Sequence, residues 1–416
     1  MAKIALAPLV LGLGLSAARA RAAPAAATLG LDEALRIVAD RGPEQLAARA
    51  LVDVASADVR TARLFPNPSL SLLGARAEPV FSAALAFRLP VLGQRGAHVR
   101  AAERGVDQAR AEADAAGWKL RHDTRIAYYA VVRAEEEERI AGEVEALTRR
   151  VAEMAARRFE EGAGNRLEQE QARLVHVRAL QDVSDRRAVT RTTRLELARL
   201  LGEPAARIGA LTDGLAAAGA TPALDSLIGE ARARHPELRA LGRERDAALA
   251  RAHAARVDRV PVPTLELGID LLEPATCGNP DGARCVAPRG ALSFDVPLFN
   301  LNGGPIARAE AEAKVAELKQ RAAAVRIEAG VASAHEALTA AVVRARFFDA
   351  QYVPAATTVE EMAREGFAAG RTGLLPLLEA ERSILDARLG RAEALYAVQA
   401  ARADLEEASG VPLSAP

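Results

Sequence analysis

The sequence predicts a mainly α-helical protein with a small membrane-embedded β part, organised as two copies of one structural unit. Three observations support this prediction. Four short segments alternate apolar and polar residues with the period of two that β-strands require. Almost all the rest of the chain repeats apolar residues at helical spacing. Short motifs of the first half also return about 200 residues later in the second half.

The N-terminal residues 1–22 have the pattern of a secretory signal peptide. Lys3 precedes an apolar run over Ile4–Leu15, and the small-residue motif Ala18-Arg19-Ala20 follows it as a cleavage site. We therefore expect the mature chain to leave the cytoplasm. No run of 18 apolar residues occurs later, so we expect no transmembrane helix.

The first structural repeat is expected at residues 23–202. Pro66 and Pro68 end an initial helical segment, because proline cannot continue a helix, and a strand begins after them. Gly93 opens a long helix whose apolar residues step by three and four, and many of these are Ala, which allows close helix packing. The expected elements are helices at about 31–63, 94–161 and 166–201 and strands at about 69–76 and 81–90.

A second repeat is expected at residues 224–412, after a linker at 203–223 that is rich in Gly, Ala and Pro. The turn glycine Gly162 returns in it as Gly370. The expected elements are helices at about 224–258, 304–369 and 374–409 and strands at about 264–272 and 290–298.

The second strand pair is about 12 residues longer than the first, and the extra residues include both cysteines, Cys277 and Cys285. Insertions are tolerated at exposed loop tips, so this loop is expected to face outward. In an oxidising compartment two such thiols are expected to form a disulfide. A metal-binding pair is the alternative, although no His or third Cys lies nearby.

Composition argues against several classes of function. Lys plus Arg and Asp plus Glu both total 55 residues, so no net positive charge points to a nucleic acid partner. The motifs of phosphate-binding loops, serine hydrolases and zinc proteases are absent, so we expect neither an enzyme nor a cofactor. The six His residues are scattered without metal-ligand spacing, so no structural metal is expected.

Four strands cannot close a membrane barrel, because about eight is the smallest known number. Strands of about nine residues nevertheless have the length of a membrane-spanning barrel strand. Several copies are therefore expected to share one barrel, and the strand count alone leaves two, three or four copies open. The long helix of about 68 residues would extend roughly 100 Å. Two shorter helices laid end to end would match that length, which suggests a tube that continues beyond the membrane.

Together these features resemble the outer membrane efflux protein family, the TolC-like channels. The resemblance covers residues from about Leu31 to Pro412. It rests on the Pro-Asn-Pro-Ser-Leu motif before the first strand, on Leu-Pro-Val-Leu-Gly-Gln-Arg-Gly at residues 89–96, and on the duplicated Phe-x-x-Gly turns that end at Gly162 and Gly370. The Gly-Gln-Arg-Gly start of the long helix and the compact length are most similar to the CzcC-like heavy-metal branch.

The resemblance implies a homotrimer in the Gram-negative outer membrane, in which a shared twelve-stranded β-barrel continues into a trimeric α-barrel in the periplasm. It implies an exit duct of a tripartite RND-type efflux system. The implied partners are a periplasmic adaptor (membrane fusion protein), an inner-membrane RND transporter and outer membrane lipid. The branch implies export of heavy-metal cations such as cobalt, zinc or cadmium.

Other functions remain open at this point. Drug efflux and type I protein secretion are alternatives that use the same kind of duct. A periplasmic coiled-coil scaffold without a pore is an alternative of another class.

Three sets of residues are candidate functional sites. The resemblance assigns adaptor docking to the helix tips furthest from the barrel, although glycine in such turns also simply ends a helix and reverses the chain. Alternation directs charged strand residues into the barrel lumen. Three acidic residues and one basic residue there would favour the passage of cations. Alternatively, these charges only make the lumen wall hydrophilic and select nothing. A tunnel gate is assigned to charged residues before the second tip, which otherwise form a solvated helix face. The tip residues are Gly162, Gly164, Arg166, Leu167, Gly370, Arg371, Gly373, Leu374 and Leu375; the lumen residues are Arg88, Glu266, Asp270 and Asp295; the gate residues are Glu361, Arg364 and Glu365.

Overall fold

The computed structural model describes residues 28–76, 79–216, 221–278, 281–296, 298–299 and 301–413, and the predicted signal peptide at residues 1–22 lies outside them. The first repeat begins with two helices and a strand pair and ends with two long helices. Its elements are α1 (Leu31–Arg41), α2 (Pro43–Arg63), β1 (Ser69–Gly74), β2 (Phe81–Arg88), α3 (Gln94–Glu160) and α4 (Arg166–Leu201). A short 3-10 turn, Ala205–Arg207, follows α4.

The second repeat has the same order of elements, with additions in the strand connection and in the long helix. Its elements are α5 (Leu224–Arg234), α6 (Pro236–Val257), β3 (Pro263–Leu272), the four-residue α7 (Pro274–Cys277), β4 (Cys285–Phe294), α8 (Gly303–Phe347), α9 (Val353–Ala368) and α10 (Leu374–Ser409). A π-helical turn, Phe348–Tyr352, joins α8 to α9.

Several elements differ from the sequence prediction. The helices expected at about 31–63 and 224–258 are each divided in two, before Pro43 and before Pro236, because proline favours the first turn of a helix over its interior. The helix expected in one piece at about 304–369 becomes π-helical at Phe348–Tyr352, which ends two residues before Pro354. Proline lacks an N–H group and its ring clashes with the carbonyl four residues earlier, so the helix widens there. Strand β4 begins at Cys285 rather than at about 290, because it pairs along the whole length of β3.

The four strands form one antiparallel sheet in the order β1-β2-β3-β4. The central pair, β2 with β3, joins the two repeats, and there Ser82 lies opposite Asp270. Among the described residues, strands β1 and β4 each have a neighbour on one side only. Both outer edges of the sheet are therefore open.

The helices form four long columns side by side. The first column is α2 with α4, the second is α3, the third is α6 with α10, and the fourth is α8 with α9. The paired short helices meet end to end in the same way in both repeats. A Cβ atom added to Gly202, after α4, would lie 3.0 Å from Cδ of Pro43 in α2, and one added to Gly410, after α10, would lie 2.9 Å from Cδ of Pro236 in α6.

Neighbouring columns pack in numerical order. The first packs against the second, the second against the third, and the third against the fourth. Within the described part of the chain, the first and fourth columns share no extensive contact. Helix α3 has 67 residues and therefore extends roughly 100 Å. The chain thus forms a tall wall, open on both sides, with the sheet at one end.

A belt of α1, α5 and the linker covers one face of this wall near its middle. Its apolar residues pack on α3 and α4 in one cluster and on α8 and α10 in another. Asp213 of the linker accepts a hydrogen bond from the backbone N–H of Leu31 at 2.8 Å and from the Tyr128 hydroxyl at 2.9 Å. Burial, with the neighbouring Asp213, raises the pKa of Tyr128 to about 12, so its hydroxyl remains a donor that fixes the belt to α3.

Candidate functional site

The sheet has one apolar face and one polar face. Opposite residues of an antiparallel pair point to the same side, so the register assigns each side chain. The apolar face carries Leu70, Leu72, Phe81, Leu85, Phe87, Leu265, Leu267, Ile269, Leu271, Val286, Leu292 and Phe294. The predicted lumen residues Arg88, Glu266 and Asp270 share the polar face, and Asp295 follows the last residue of β4. Of these four predicted residues, the sheet therefore brings three together.

Sequence reasoning missed a second arginine on this face. Arg289 of β4 lies opposite Gly268, and its Nη2 atom is 2.7 Å from Oε1 of Glu266. Its Nε atom is 3.8 Å from Oδ1 of Asp270, whose other close contact is the Ser82 hydroxyl at 2.7 Å. Two arginines therefore accompany the two carboxylates of the strands. With Asp295 counted, three carboxylates accompany two arginines, so Arg289 reduces the excess of acid on which the predicted cation preference depends.

The signal for Arg289 was present in the alternation of β4, upstream of the predicted strand start. Cys285, Ala287, Arg289 and Ala291 all fall on the polar side of β4. Pro288 and Gly290 interrupt the apolar side of the pattern, because both are unusual inside strands. The strand was therefore predicted to begin too late.

The open sides of the wall carry most of its exposed large apolar side chains. On the first column these are Leu46, Leu51, Val54, Leu174, Val177, Leu180, Val189 and Leu195; on the fourth they are Val315, Leu318, Val325, Val343, Phe347, Val359 and Met362. Between the sheet and the tips, the described residues of the two inner columns expose Met154 and Leu249. Large apolar patches on a protein surface mark interaction sites. The first and fourth columns are therefore candidate interfaces.

The two helix tips have the same backbone geometry. Gly162 and Gly370 are left-handed, with φ of 74° and 69°. The next N–H group, of Ala163 or Arg371, donates to the carbonyl five residues earlier, at 2.8 Å and 2.9 Å. This is the hydrogen bond of a Schellman turn, which glycine favours. Of the other predicted tip residues, Gly164 is half-buried and Arg166, Leu167, Gly373 and Leu375 are exposed.

The tips differ at the start of the helix after each turn. The Asn165 side chain accepts a hydrogen bond from the Glu168 N–H at 2.9 Å and caps α4, whereas Gly373 has no side chain to cap α10. Leu374 was predicted to dock the adaptor, but it is only 2% exposed and packs with Phe367 and other buried apolar residues. Its assignment as an exposed docking residue is therefore wrong, while Leu375 remains exposed at 62%.

The predicted gate residues are all exposed, but their contacts differ. Glu361 and Glu365 are exposed, whereas Arg364 contacts Glu360 and lies 3.5 Å from Glu381 of α10. Glu360 and Glu381 are both buried.

The two buried carboxylates lie in the apolar seam between α9 and α10. Burial raises the pKa of Glu381, and the nearby Glu360 raises it further. The sequence contained a signal for this site, because Glu381 occupies the helical spacing of Leu377 and Ile384.

Cys277 and Cys285 are bonded to each other, with 6.0 Å between their Cα atoms. They lie at the end of the sheet opposite to the helical columns. Arg284, beside this bond, is 3.4 Å from Glu273 across the same loop. Residues 279 and 280 of this loop lie outside the described part of the chain.

His122 is another titratable residue that the sequence did not single out. Its ring nitrogens contact Asp404 of α10 at 2.8 Å and Asp123 at 3.0 Å. The Asp404 hydrogen bond is the main cause that raises the pKa of His122 to about 9, so the cationic ring ties α3 to α10. Within the described ranges, no three His, Cys, Asp or Glu side chains are arranged to hold a metal ion.

None of the helices in the described residues combines the length and the apolar character that a membrane span needs. The sheet has strands of up to ten residues and an exposed apolar face. With open edges on both the sheet and the helical wall, these features define the class of membrane channels that several chains build together. The outer membrane efflux protein family matches this chain at residues 34–203 and 227–411, so each repeat contains one match. The chain belongs to this family.

Comparison with known proteins agrees with this assignment. Cobalt-zinc-cadmium resistance protein CzcC of Cupriavidus metallidurans is 24% identical over 368 residues, which cover 88% of this chain and 86% of the relative. The CmeC outer membrane channel of Campylobacter jejuni has a similar structure, with a TM-score of 0.74 and 15% identity over 91% of this chain and 85% of that one. The outer membrane protein VceC of Vibrio cholerae has a TM-score of 0.70 and 18% identity, over 92% and 96%.

The protein is therefore an outer-membrane exit duct for RND-type efflux in a Gram-negative bacterium, and most of the chain extends into the periplasm. Family members are trimeric channels that work with an adaptor and an RND transporter in tripartite pumps. They are channels rather than enzymes. Membership in the outer membrane efflux protein family also excludes the alternative of a periplasmic scaffold without a pore.

Proposed function

We propose that three copies of this chain close into a ring and export heavy-metal cations such as cobalt, zinc or cadmium. The observation that carries the ring is that the sheet and the helical wall are open on both sides. Strands β1 and β4 each lack one neighbour, and the first and fourth columns carry the exposed apolar side chains. In each ring contact, the first-column side of one copy meets the fourth-column side of the next.

Such a contact is heterologous, since it joins two different surfaces. Heterologous contacts produce a closed ring when the rotation between copies closes, and they leave no open edge in it. Three copies would bring twelve strands and twelve columns together, in line with the trimeric family.

The polar face of the sheet would line the lumen and the apolar face would contact lipid. This arrangement puts Arg88, Glu266, Asp270 and Arg289 beside the passing cargo. It also hides the ion pairs of Arg289 from the membrane, where an uncompensated charge is costly.

The helix tips would dock the periplasmic adaptor, which in turn holds the inner-membrane transporter. The support is that both tips end in exposed turns at the end of the wall far from the sheet. Arg166, Leu167, Arg371 and Leu375 remain exposed there.

The metal cargo is inferred from the similarity to CzcC, which is named as a cobalt-zinc-cadmium resistance protein. The similarity covers most of both chains. A strain without the gene should lose tolerance to one or more of these cations and regain it with the wild-type gene. Unchanged tolerance to all three, together with lost tolerance to drugs, would contradict the metal assignment.

Edge variants test the ring. Leu180→Asp places a charge on the first column and Val343→Asp places one on the fourth, so either should prevent assembly, because the interface would bury an unpaired charge. Leu249→Asp is the matched control, since Leu249 is 53% exposed, close to the 49% of Leu180, but lies on an inner column. Normal assembly of both edge variants would contradict the proposed contact.

A further inference from the structure

A second exposed apolar region lies where the helical wall meets the sheet. It belongs to the connections between helices and strands, at residues 64–68, 89–93, 258–262 and 295–301. Of the last range, 297 and 300 lie outside the described residues. We call this region the collar. Its exposed apolar residues are Leu64, Phe65, Val91, Leu92, Val260, Val296, Leu298, Phe299 and Leu301.

Contact between neighbouring copies does not account for the whole collar. Leu64 and Phe65 lie beside the first column, and the residues after β4 lie beside the fourth. Val91 and Leu92, in contrast, connect β2 to α3 in the middle of the wall, and they are 64% and 52% exposed. A ring joined at its outer columns would leave them uncovered, so the collar needs another apolar neighbour along its circumference.

Two arginines of the collar region are held by backbone carbonyls rather than by acids. Arg95 donates from Nε at 2.9 Å and from Nη2 at 2.6 Å to the carbonyl of Arg63, and its guanidinium lies 4.6 Å from the centre of the Phe65 ring. Arg259 donates from Nε to the carbonyl of Leu301 at 3.0 Å. Neither has a carboxylate within 4.0 Å among the residues that the structure describes.

Among the described residues, the acids of these connections form no ion pair with either arginine. Asp258 is 2.9 Å from His98. Asp295 is the other acidic residue of the connections. The guanidinium groups of Arg95 and Arg259 thus keep N–H donors for an external acceptor, beside exposed apolar side chains.

We propose that the collar lies in the headgroup layer of the periplasmic membrane leaflet and binds anionic phospholipid. Arg95 and Arg259 would donate to lipid phosphate while the apolar collar residues contact acyl chains. Arginine matches phosphate geometry, and aromatic and basic side chains concentrate at membrane interfaces. The apolar face of the sheet ends at the collar, so the two surfaces form one continuous lipid contact. This inference rests on the proposed orientation of the sheet.

Native mass spectrometry of the detergent-purified full assembly tests the proposal with two lipids of identical acyl chains. Phosphatidylglycerol should bind more tightly than phosphatidylcholine, which carries no net charge. Arg95→Gln with Arg259→Gln should weaken phosphatidylglycerol binding about thirtyfold, because each of the two basic groups near an anionic lipid contributes about 1 kcal/mol. Binding of phosphatidylcholine should weaken much less, because its choline cation offsets the charge of its phosphate.

The matched control is Arg157→Gln with Arg173→Gln, two exposed arginines near the tips, which should leave both affinities unchanged. Arg259→Gln alone, which removes one carbonyl bond, serves if the double variant does not assemble. Equal binding of the two lipids by the wild type, or an unchanged preference in the variant, would overturn the proposal. The same spectra report the number of chains, so failure of the ring is seen separately from failure of the collar.

Discussion

Arg289 of β4 forms an ion pair with Glu266 of β3 across the polar face of the sheet, with 2.7 Å between Nη2 and Oε1. The same guanidinium lies 3.8 Å from Asp270. Strand β3 alone would present two carboxylates to a lumen, but β4 supplies a compensating charge. We therefore expect weak charge selectivity in the wild-type channel.

Arg289→Gln should shift the channel toward cations, because three copies would lose three positive charges while Glu266 and Asp270 remain. The reversal potential of single channels in a salt gradient measures this shift. Arg284→Gln is the control, since Arg284 lies in the loop beyond the sheet and pairs with Glu273. A reversal potential that moves equally in both variants, or only in the control, would argue against a lumen position for Arg289.

Leu375→Glu should reduce efflux without changing the stability of the assembly. Leu375 is 62% exposed at the second tip, so a charge there alters the docking surface and disturbs no packing. Metal tolerance of cells and co-purification of the adaptor measure docking, and thermal melting measures stability. Full tolerance with normal adaptor binding would count against docking at this tip.

Leu374→Ala should lower the melting temperature, whereas Leu375→Glu should leave it unchanged. Leu374 is buried against Phe367 and its neighbours, and removing such a side chain costs about 2–5 kcal/mol of stability. The melting temperature of the detergent-purified protein should fall clearly below those of the wild type and of Leu375→Glu. An unchanged melting temperature would contradict the buried position.

Glu381→Gln should raise the melting temperature near neutral pH. Burial and Glu360 raise the pKa of Glu381 in the folded protein, so the folded state holds this proton more tightly than the unfolded state. Stability therefore falls as pH rises from the ordinary pKa of a glutamate to the raised one, and the loss persists above it. The advantage of the variant should vanish below the ordinary pKa, where the native carboxyl is neutral.

Melting curves at several pH values measure this difference. Glu379→Gln is the control, because Glu379 is exposed on the same helix, and this variant should melt close to the wild type. An advantage of Glu381→Gln that persists unchanged at acidic pH would show that proton binding is not its cause.

Gly390→Ala should destabilise the protein by about 1–3 kcal/mol, because overpacking forces neighbouring atoms apart. The added Cβ would lie 2.5 Å from Cε1 of Phe348, whose ring also packs against Phe347 and Tyr352 in the π-helical region. Gly105→Ala is the control. No atom lies within 4 Å of its added Cβ, and alanine favours a helix interior over glycine by about 0.5–1 kcal/mol. Chemical denaturation should therefore move the two variants in opposite directions.

Local patterns were sufficient to predict much of the fold. Alternation identified β2 and β3 because their apolar faces are uninterrupted, and glycine at 162 and 370 identified both tips because few other residues adopt left-handed turns. Pro354 was a visible signal for a change of helix geometry, but the helical spacing on both sides of it masked the π-helical turn.

The missed features depend on neighbours that are distant in sequence. Leu374 and Leu375 are the same residue type in adjacent positions, and only packing against α3 and α9 makes one buried and the other exposed. The helical spacing of Glu381 with Leu377 and Ile384 indicates burial, but it does not show that Glu360 of α9 lies beside it. Arg289 enters the site only because β4 extends past Gly290 to pair with β3.

The mass of the detergent-extracted protein tests the central claim most directly, because one copy supplies only four strands and four columns. Native mass spectrometry should give the mass of three chains. A stable species with the mass of one chain, still folded and soluble after detergent is removed, would contradict the account.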